Sequence, residues 1–184
     1  MNVLRGEKIS AGTAIGPLWL CERRGPLKVE AIVDIEEELR RFQGSKRNVQ
    51  EQLKKMYGTA MKKVGEKKAA IFEVHQMLLD DPEFTDNVEE LIRRGKTAAE
   101  QAVNQVGDQL SKTFLALNDD YMRARAADIK DIVQQLLADL QGKEATVMPE
   151  GQFIVAAEEI TPSMALQMDK SKVLGFVTTR GSSN

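Results

Sequence analysis

The chain holds one cysteine and one histidine in 184 residues, and each scarcity excludes something. Cys21 alone can build neither a disulfide framework nor a cysteine metal site. His75 alone can build neither a histidine metal triad nor a Ser-His-Asp set. No apolar run approaches the roughly 20 residues that span a bilayer. The N-terminus lacks the basic-then-apolar pattern of a secretory signal, so the expected setting is the cytoplasm. Charge of one sign is lacking too, because 26 basic against 28 acidic residues leave a net charge of −2. With no basic stripe beside aromatic platforms, nucleic acid is not expected as the main partner. No internal repeat or low-complexity stretch is visible.

What is present is an ordinary soluble composition, 42% hydrophobic and 29% charged. The length allows one domain or two small ones with a real core. Three zones follow one another. Residues 1 to about 32 read as strands and turns, with a small-residue loop at Ile9–Gly16 and strand material at Ala14-Ile15 and Leu18-Trp19-Leu20. Residues 34 to about 141 read as helical almost throughout. From Ala145 strands return, at Gln152–Ala156 and Val173–Val177, around a short helix with Thr161 as cap and Pro162 at its first position. Strands at both ends and helices between predict a helical bundle inserted into an α/β domain, with residues 33–143 forming the bundle and residues 1–32 and 144–184 the α/β part.

The helical zone carries its own punctuation. Asp34-Ile-Glu-Glu37 is a capping box. Beyond it Leu39, Phe42, Val49, Leu53, Met56 and Ala60 form a three-four stripe, broken only at Lys46, which predicts a long helix. Gly65 interrupts it, and a second helix covers Ala69–Leu79. Asp81-Pro82-Glu83 starts a third that runs to about Arg94 before Gly95. Thr97-Ala-Ala-Glu100 reads as another capping box for a helix to about Leu117, and Asn118 as the cap of a last helix to Leu140.

Few residues offer chemistry. On a helix His75 lies beside an apolar stripe, so it reads either as a half-exposed residue bonding locally or as a contact on a partner-docking face. Catalysis by His75 alone would need an orienting partner. Ile71, Leu78 and Phe84, with Glu66, Lys68, Asp81 and Glu83 around them, form either a docking patch with a charged rim or bundle core. Asp80, Asp81, Glu83, Asp86, Glu89 and Glu90 make an acidic stretch suited to a basic partner. Arg125 and Asp128, three apart, read as a surface ion pair of little worth, with Ala126 and Ala127 leaving room for a close neighbour. At the end, Val173–Val177 runs into Thr178, Thr179, Gly181, Ser182 and Ser183, a turn whose backbone amides could cradle an anion. The chain stops where a reactive group is expected, and so reads as the front portion of something larger.

Five segments in register carry a resemblance: Ile9–Gly16, Ala70–Glu83, Asp119–Ile132, Ile160–Ser163 and Gly175–Thr178. Together they resemble the N-terminal half of Enzyme I of the bacterial phosphoenolpyruvate:sugar phosphotransferase system. The resemblance implies an α/β phosphohistidine (swivelling) domain, incomplete here, interrupted by a helical bundle that docks the carrier protein HPr. It implies a histidine two positions beyond Asn184 that takes a phosphoryl group from phosphoenolpyruvate, bound with Mg²⁺ in a separate C-terminal barrel, and passes it to HPr. The 184 residues by themselves would then be inactive, and none of them catalytic. The full-length protein would be a homodimer through that C-terminal domain and this piece a monomer. Carried over by position, the HPr-binding residues are Glu66, Lys68, Ile71, His75, Leu78, Asp81, Phe84 and Arg125. Ile71, Leu78 and Phe84 would be the apolar anchors, and Lys68 and Arg125 would lie nearest the phosphate in transit.

The chain departs from that pattern in places. Thr179-Arg180-Gly181-Ser182 stands where the family has Asp-x-Gly-Gly, Met164-Ala165 replaces an acid and a threonine, and Lys67 replaces an acid beside Glu66. These leave two alternatives beside sugar uptake. One is a divergent paralogue in a nitrogen-regulatory or dihydroxyacetone-kinase phosphorelay. The other is a non-enzymatic helical adaptor.

Overall fold

The long apolar stripe closes into one helix, and the rest of the bundle assembles on it. In the computed structural model of the chain, residues 6–21, 34–142 and 148–179 are described. Their elements run β1 (Leu18–Cys21), α1 (Ile35–Val64), α2 (Glu66–Asp80), α3 (Pro82–Gly95), α4 (Ala99–Ala116), α5 (Asp120–Leu140), β2 (Phe153–Ala157), α6 (Pro162–Gln167) and β3 (Val173–Thr178). The expectations for residues 22–32 and 143–147 and for the final turn from Arg180 lie outside the described residues. Ala14-Ile15, read as strand material, forms no strand.

These residues fall into two compact units. A sheet unit draws on Met1–Arg24, Met148–Ile160 and Met168–Asn184, and a helical unit on Gly25–Val147 and Thr161–Gln167. The sheet is parallel throughout, in the order β1-β2-β3. Parallel pairing needs a crossover between neighbours. The five long helices among the described residues intervene between β1 and β2, and α6 between β2 and β3. Phe153, Val155 and Ala157 alternate as the buried face of β2, and Trp19 meets Phe153 edge to ring at 5.3 Å between centroids.

In the helical unit α1 buries Leu39, Phe42, Ser45, Val49, Leu53 and Ala60. Its exception, Lys46, is explained by its partners: the ammonium sits 3.1 Å from Asp80 and donates to Thr85. Asp34 caps α1 by accepting from the amides of Glu36 and Glu37, and Asp81 caps α3 by accepting from Glu83. Gly65, at φ 84°, ends α1 in a conformation that favours glycine.

Three boundaries differ from expectation. The cap of α5 is Asp119, whose side chain accepts from the Met122 amide, one residue beyond Asn118. Thr97 does not cap α4, which begins after Ala98 without a cap from its own segment. Instead the Ala99 amide donates to the Glu38 carboxylate of α1 at 2.8 Å, and Glu100, the presumed second half of the box, binds Arg41. A carboxylate from another helix satisfies the orphan amide that the local side chain was expected to take. Finally, α6 packs with the helices although its sequence lies between two strands. Ser163 donates its amide to Asp131 of α5 at 3.2 Å, Gln135 donates to the Ser163 hydroxyl at 2.9 Å, and Leu166 packs against the helical core.

Candidate docking site

The presumed docking residues lie on α2, at the start of α3 and on α5, and the helix periods decide which of them reach solvent. Glu66 and Lys68 occupy the exposed first turn of α2. Ile71 and Leu78 are half-buried and pack against the core. Leu78 also helps line a narrow cleft of about 20 Å³ with Phe84, Leu110, Phe114, Ile129 and Ile132, and Asp81 stands at that cleft. Asp81 is exposed, but its carboxylate is engaged as the cap of α3.

Two of the presumed contacts are internal. Phe84 is only 4% exposed and belongs to the core, so it is no surface anchor in this fold. His75, read as half-exposed or as a surface contact, is fully buried at 0%. The cause is helical phase: Phe72, His75 and Leu79 share the stripe of α2 that faces the bundle. Apolar side chains that do stand in water nearby in sequence are Met77 of α2, at 72%, and Tyr121 of α5, at 65%, with Leu115 at the end of α4.

The buried stripe converges on a polar cluster. Asp128 receives Arg125 Nη1 on Oδ2 at 2.9 Å and faces His75 Nε2 with Oδ1 at 3.3 Å. Arg125 and Asp128 side chains are mostly buried, so this is not the surface pair expected of their spacing. The other imidazole nitrogen, Nδ1, lies 3.9 Å from Asp131 Oδ2 and makes no hydrogen bond among the described residues. Burial pushes the Asp131 carboxyl above its usual range, against the opposing pull of His75 and of the hydrogen bonds from Ser163 and Thr161. The Arg125 guanidinium stacks over the Tyr121 ring at 4.5 Å and donates to its hydroxyl. Burial works to lower Arg125, but the bonds to Tyr121 and Asp128 outweigh it and hold the guanidinium above its ordinary value.

The structure thus brings Arg125 and His75 together through one carboxylate, and Leu78, Asp81 and Phe84 around one cleft. Glu66, Lys68 and Ile71 join neither group. Asp131, Ser163, Gln135 and Tyr121 were not singled out from sequence. One signal was available: Tyr121, Arg125, Asp128 and Asp131 fall at spacings of four, three and three, a polar stripe along one side of α5. Of the turn expected to cradle an anion, Thr178 ends β3 and Thr179 follows it, its amide donating to the Ala157 carbonyl. Among the described residues no group of three His, Cys, Asp or Glu could hold a metal ion. No helix among them is long and apolar enough to cross a membrane.

Comparison with known proteins identifies the family and the fold. The family described as PEP-utilising enzyme, N-terminal, matches residues 5–125. A phosphoenolpyruvate-protein phosphotransferase of Listeria monocytogenes is 35% identical over 181 residues, covering 97% of this chain and 32% of that protein. Its counterpart in Bacillus subtilis is 35% identical over 185 residues, covering 98% and 32%. The chain therefore spans about a third of the length of the curated relatives it matches. Among solved structures, the N-terminal Enzyme I protein determined by NMR superimposes with a TM-score of 0.71 at 35% identity, covering 89% of this chain and 68% of that one. The N-terminal domain of the nitrogen Enzyme I superimposes at 0.69 with 25% identity, covering 93% and 71%.

Proposed function

The chain belongs to the PEP-utilising enzyme family, in its N-terminal region, and from that premise we propose that its helical unit docks an HPr-like phosphocarrier. The protein that contains it would be a phosphoenolpyruvate-protein phosphotransferase of sugar uptake. The observation that carries this reading is the shared fold of the N-terminal Enzyme I protein, at 35% identity over most of the chain. Phosphoryl transfer asks little of a protein beyond alignment and charge stabilisation. A stiff bundle that grips the acceptor supplies the first, and a fixed cation supplies the second.

Arg125 is suited to that task, because Asp128 and Tyr121 hold its guanidinium before any partner arrives. Lys68, exposed at the start of α2, offers a second and more mobile charge. Ile71 and Leu78 would provide apolar contact, and Glu66 and Asp81 would steer a basic carrier. Phe84 supports the surface from beneath, and His75 acts from inside.

His75 is not the phosphoryl carrier. An imidazole with no exposed surface, set between two carboxylates, would bring a doubly charged phosphate against like charge in a dry interior. The carrier histidine of the relay is therefore assigned outside these 184 residues. Mg²⁺, phosphoenolpyruvate, a dimer contact and the cytoplasmic setting belong to the same proposal for the longer protein. The match to the nitrogen Enzyme I domain, at lower identity, supports a nitrogen carrier as the second reading.

The test is phosphorylation of the intact polypeptide by labelled phosphoenolpyruvate with Mg²⁺. An acid-labile, base-stable phosphoprotein that discharges onto HPr is expected. A polypeptide that takes up no label, or one that discharges only onto a nitrogen-type carrier, overturns the sugar reading.

A further inference from the structure

Resting on the docking reading, we propose that His75 is a positioning residue for Arg125, acting through Asp128. Asp128 has two oxygens and a different helix holds each. Oδ2 accepts from Arg125 on its own helix, and Oδ1 faces Nε2 of His75 on α2 at 3.3 Å. A carboxylate paired with a guanidinium is ionised and can only accept, so Nε2 must carry the proton of that bond. The bond therefore fixes the tautomer of His75 as well as the rotation of Asp128.

A carboxylate held at one oxygen can swing about its last torsion; held at both, it cannot. Asp128 consequently presents Oδ2 in one direction, and Arg125 is aligned along it with the Tyr121 ring beneath. Arginine otherwise carries several freely rotating torsions, whose freedom a partner would have to quench on binding. The same bond ties α2, bearing Ile71 and Leu78, to α5, bearing Arg125. It sets the distance between the apolar anchors and the cation.

A histidine that merely filled space would need no donor. The flat ring does contact Phe72 edge to face, at 6.0 Å between centroids, and that packing is the competing explanation. Two substitutions of similar volume separate the two. His75→Met removes the donor and keeps the bulk, whereas His75→Gln keeps an N–H that can reach Asp128.

The primary readout is the Arg125 Nε–Hε resonance and its ¹⁵N relaxation in the free 184-residue chain. The second is the Kd for Bacillus subtilis HPr, measured by calorimetry. His75→Met is expected to move the Arg125 signal to the averaged position of exposed arginines and to raise Kd about tenfold, the scale of one charge-assisted hydrogen bond. His75→Gln is expected to keep the ordered signal and a Kd within about twofold of the parent. In an Arg125→Gln background, His75→Met is expected to add less than about twofold, since the residue it positions is gone. Asp128→Asn leaves the imidazole packing in place and is expected to release Arg125 in the same way. Equal behaviour of the Met and Gln variants, or an Arg125 signal unmoved by His75→Met or by Asp128→Asn, overturns the proposal. If the parent chain fails to bind HPr the docking reading falls, while the Arg125 resonance still decides the role of His75.

Discussion

Asp131 sits almost sealed in the bundle, with His75 Nδ1 on one side and the Ser163 amide on the other. Burial raises its proton affinity in the folded chain above that in the unfolded chain. The sign of the consequence follows from linkage. The folded state binds the extra proton, so the Asp131 contribution to stability is fully present below about pH 4 and is lost as pH rises through the raised value. Asp131→Asn, which cannot ionise, is expected to flatten that fall, and urea midpoints of both proteins across the acid range check it. A slope identical in the two would remove Asp131 from the explanation. The ionisable groups facing this site are Asp128 and Arg125 on α5 and His75 on α2, and only Asp131 is replaced in the comparison. None of this was legible residue by residue. A lone histidine beside an apolar stripe reads as peripheral, because its burial depends on carboxylates supplied 53 and 56 positions later.

Helix ends and helix contacts carry the next set of consequences. Gly107 lies where α4 crosses α5, and a Cβ there would come within 2.3 Å of Val133 Cγ2. Valine is stiff at χ1, and its Cβ and Cγ1 also lie within 3.6 Å of that Cβ. Gly107→Ala is therefore expected to cost about 1–3 kcal/mol by overpacking, despite the better helix propensity of alanine. Gly58, on the exposed side of α1 with nothing within 4 Å, supplies the contrast. Gly58→Ala is expected to gain about 0.5–1 kcal/mol. Denaturant unfolding of both variants checks the pair, and a stable Gly107→Ala protein would show that α4 and α5 lie farther apart than described. Sequence signals located these helices well, because apolar phase and the Asp34 and Asp81 caps are local. They failed at α4, whose orphan amide is satisfied by Glu38 from 61 residues away. They failed again at α6, where Thr161 and Pro162 gave the start but not the unit it joins.

For the whole molecule, alternation of strand and helix zones was enough to read an all-helical insertion into an α/β frame, and the parallel order β1-β2-β3 agrees with that reading. The boundary by sequence order put residues 161–167 with the strands, whereas their hydrogen bonds put them with the helices. Of the residues proposed for docking, Glu66, Lys68 and Asp81 lie at the surface and Ile71, Leu78 and Arg125 are part-exposed, whereas Phe84 and His75 are buried, and Met77 and Tyr121 stand exposed nearby in sequence. The account stands on the helical unit being the platform for a phosphocarrier. Its most direct test is a titration of the ¹⁵N-labelled chain with Bacillus subtilis HPr, followed through the backbone amides. Shifts concentrated in α2, the start of α3 and the first turns of α5, weakened by Ile71→Asp, are expected. Saturating HPr with those amides unmoved, or shifts confined to the sheet unit, would contradict it.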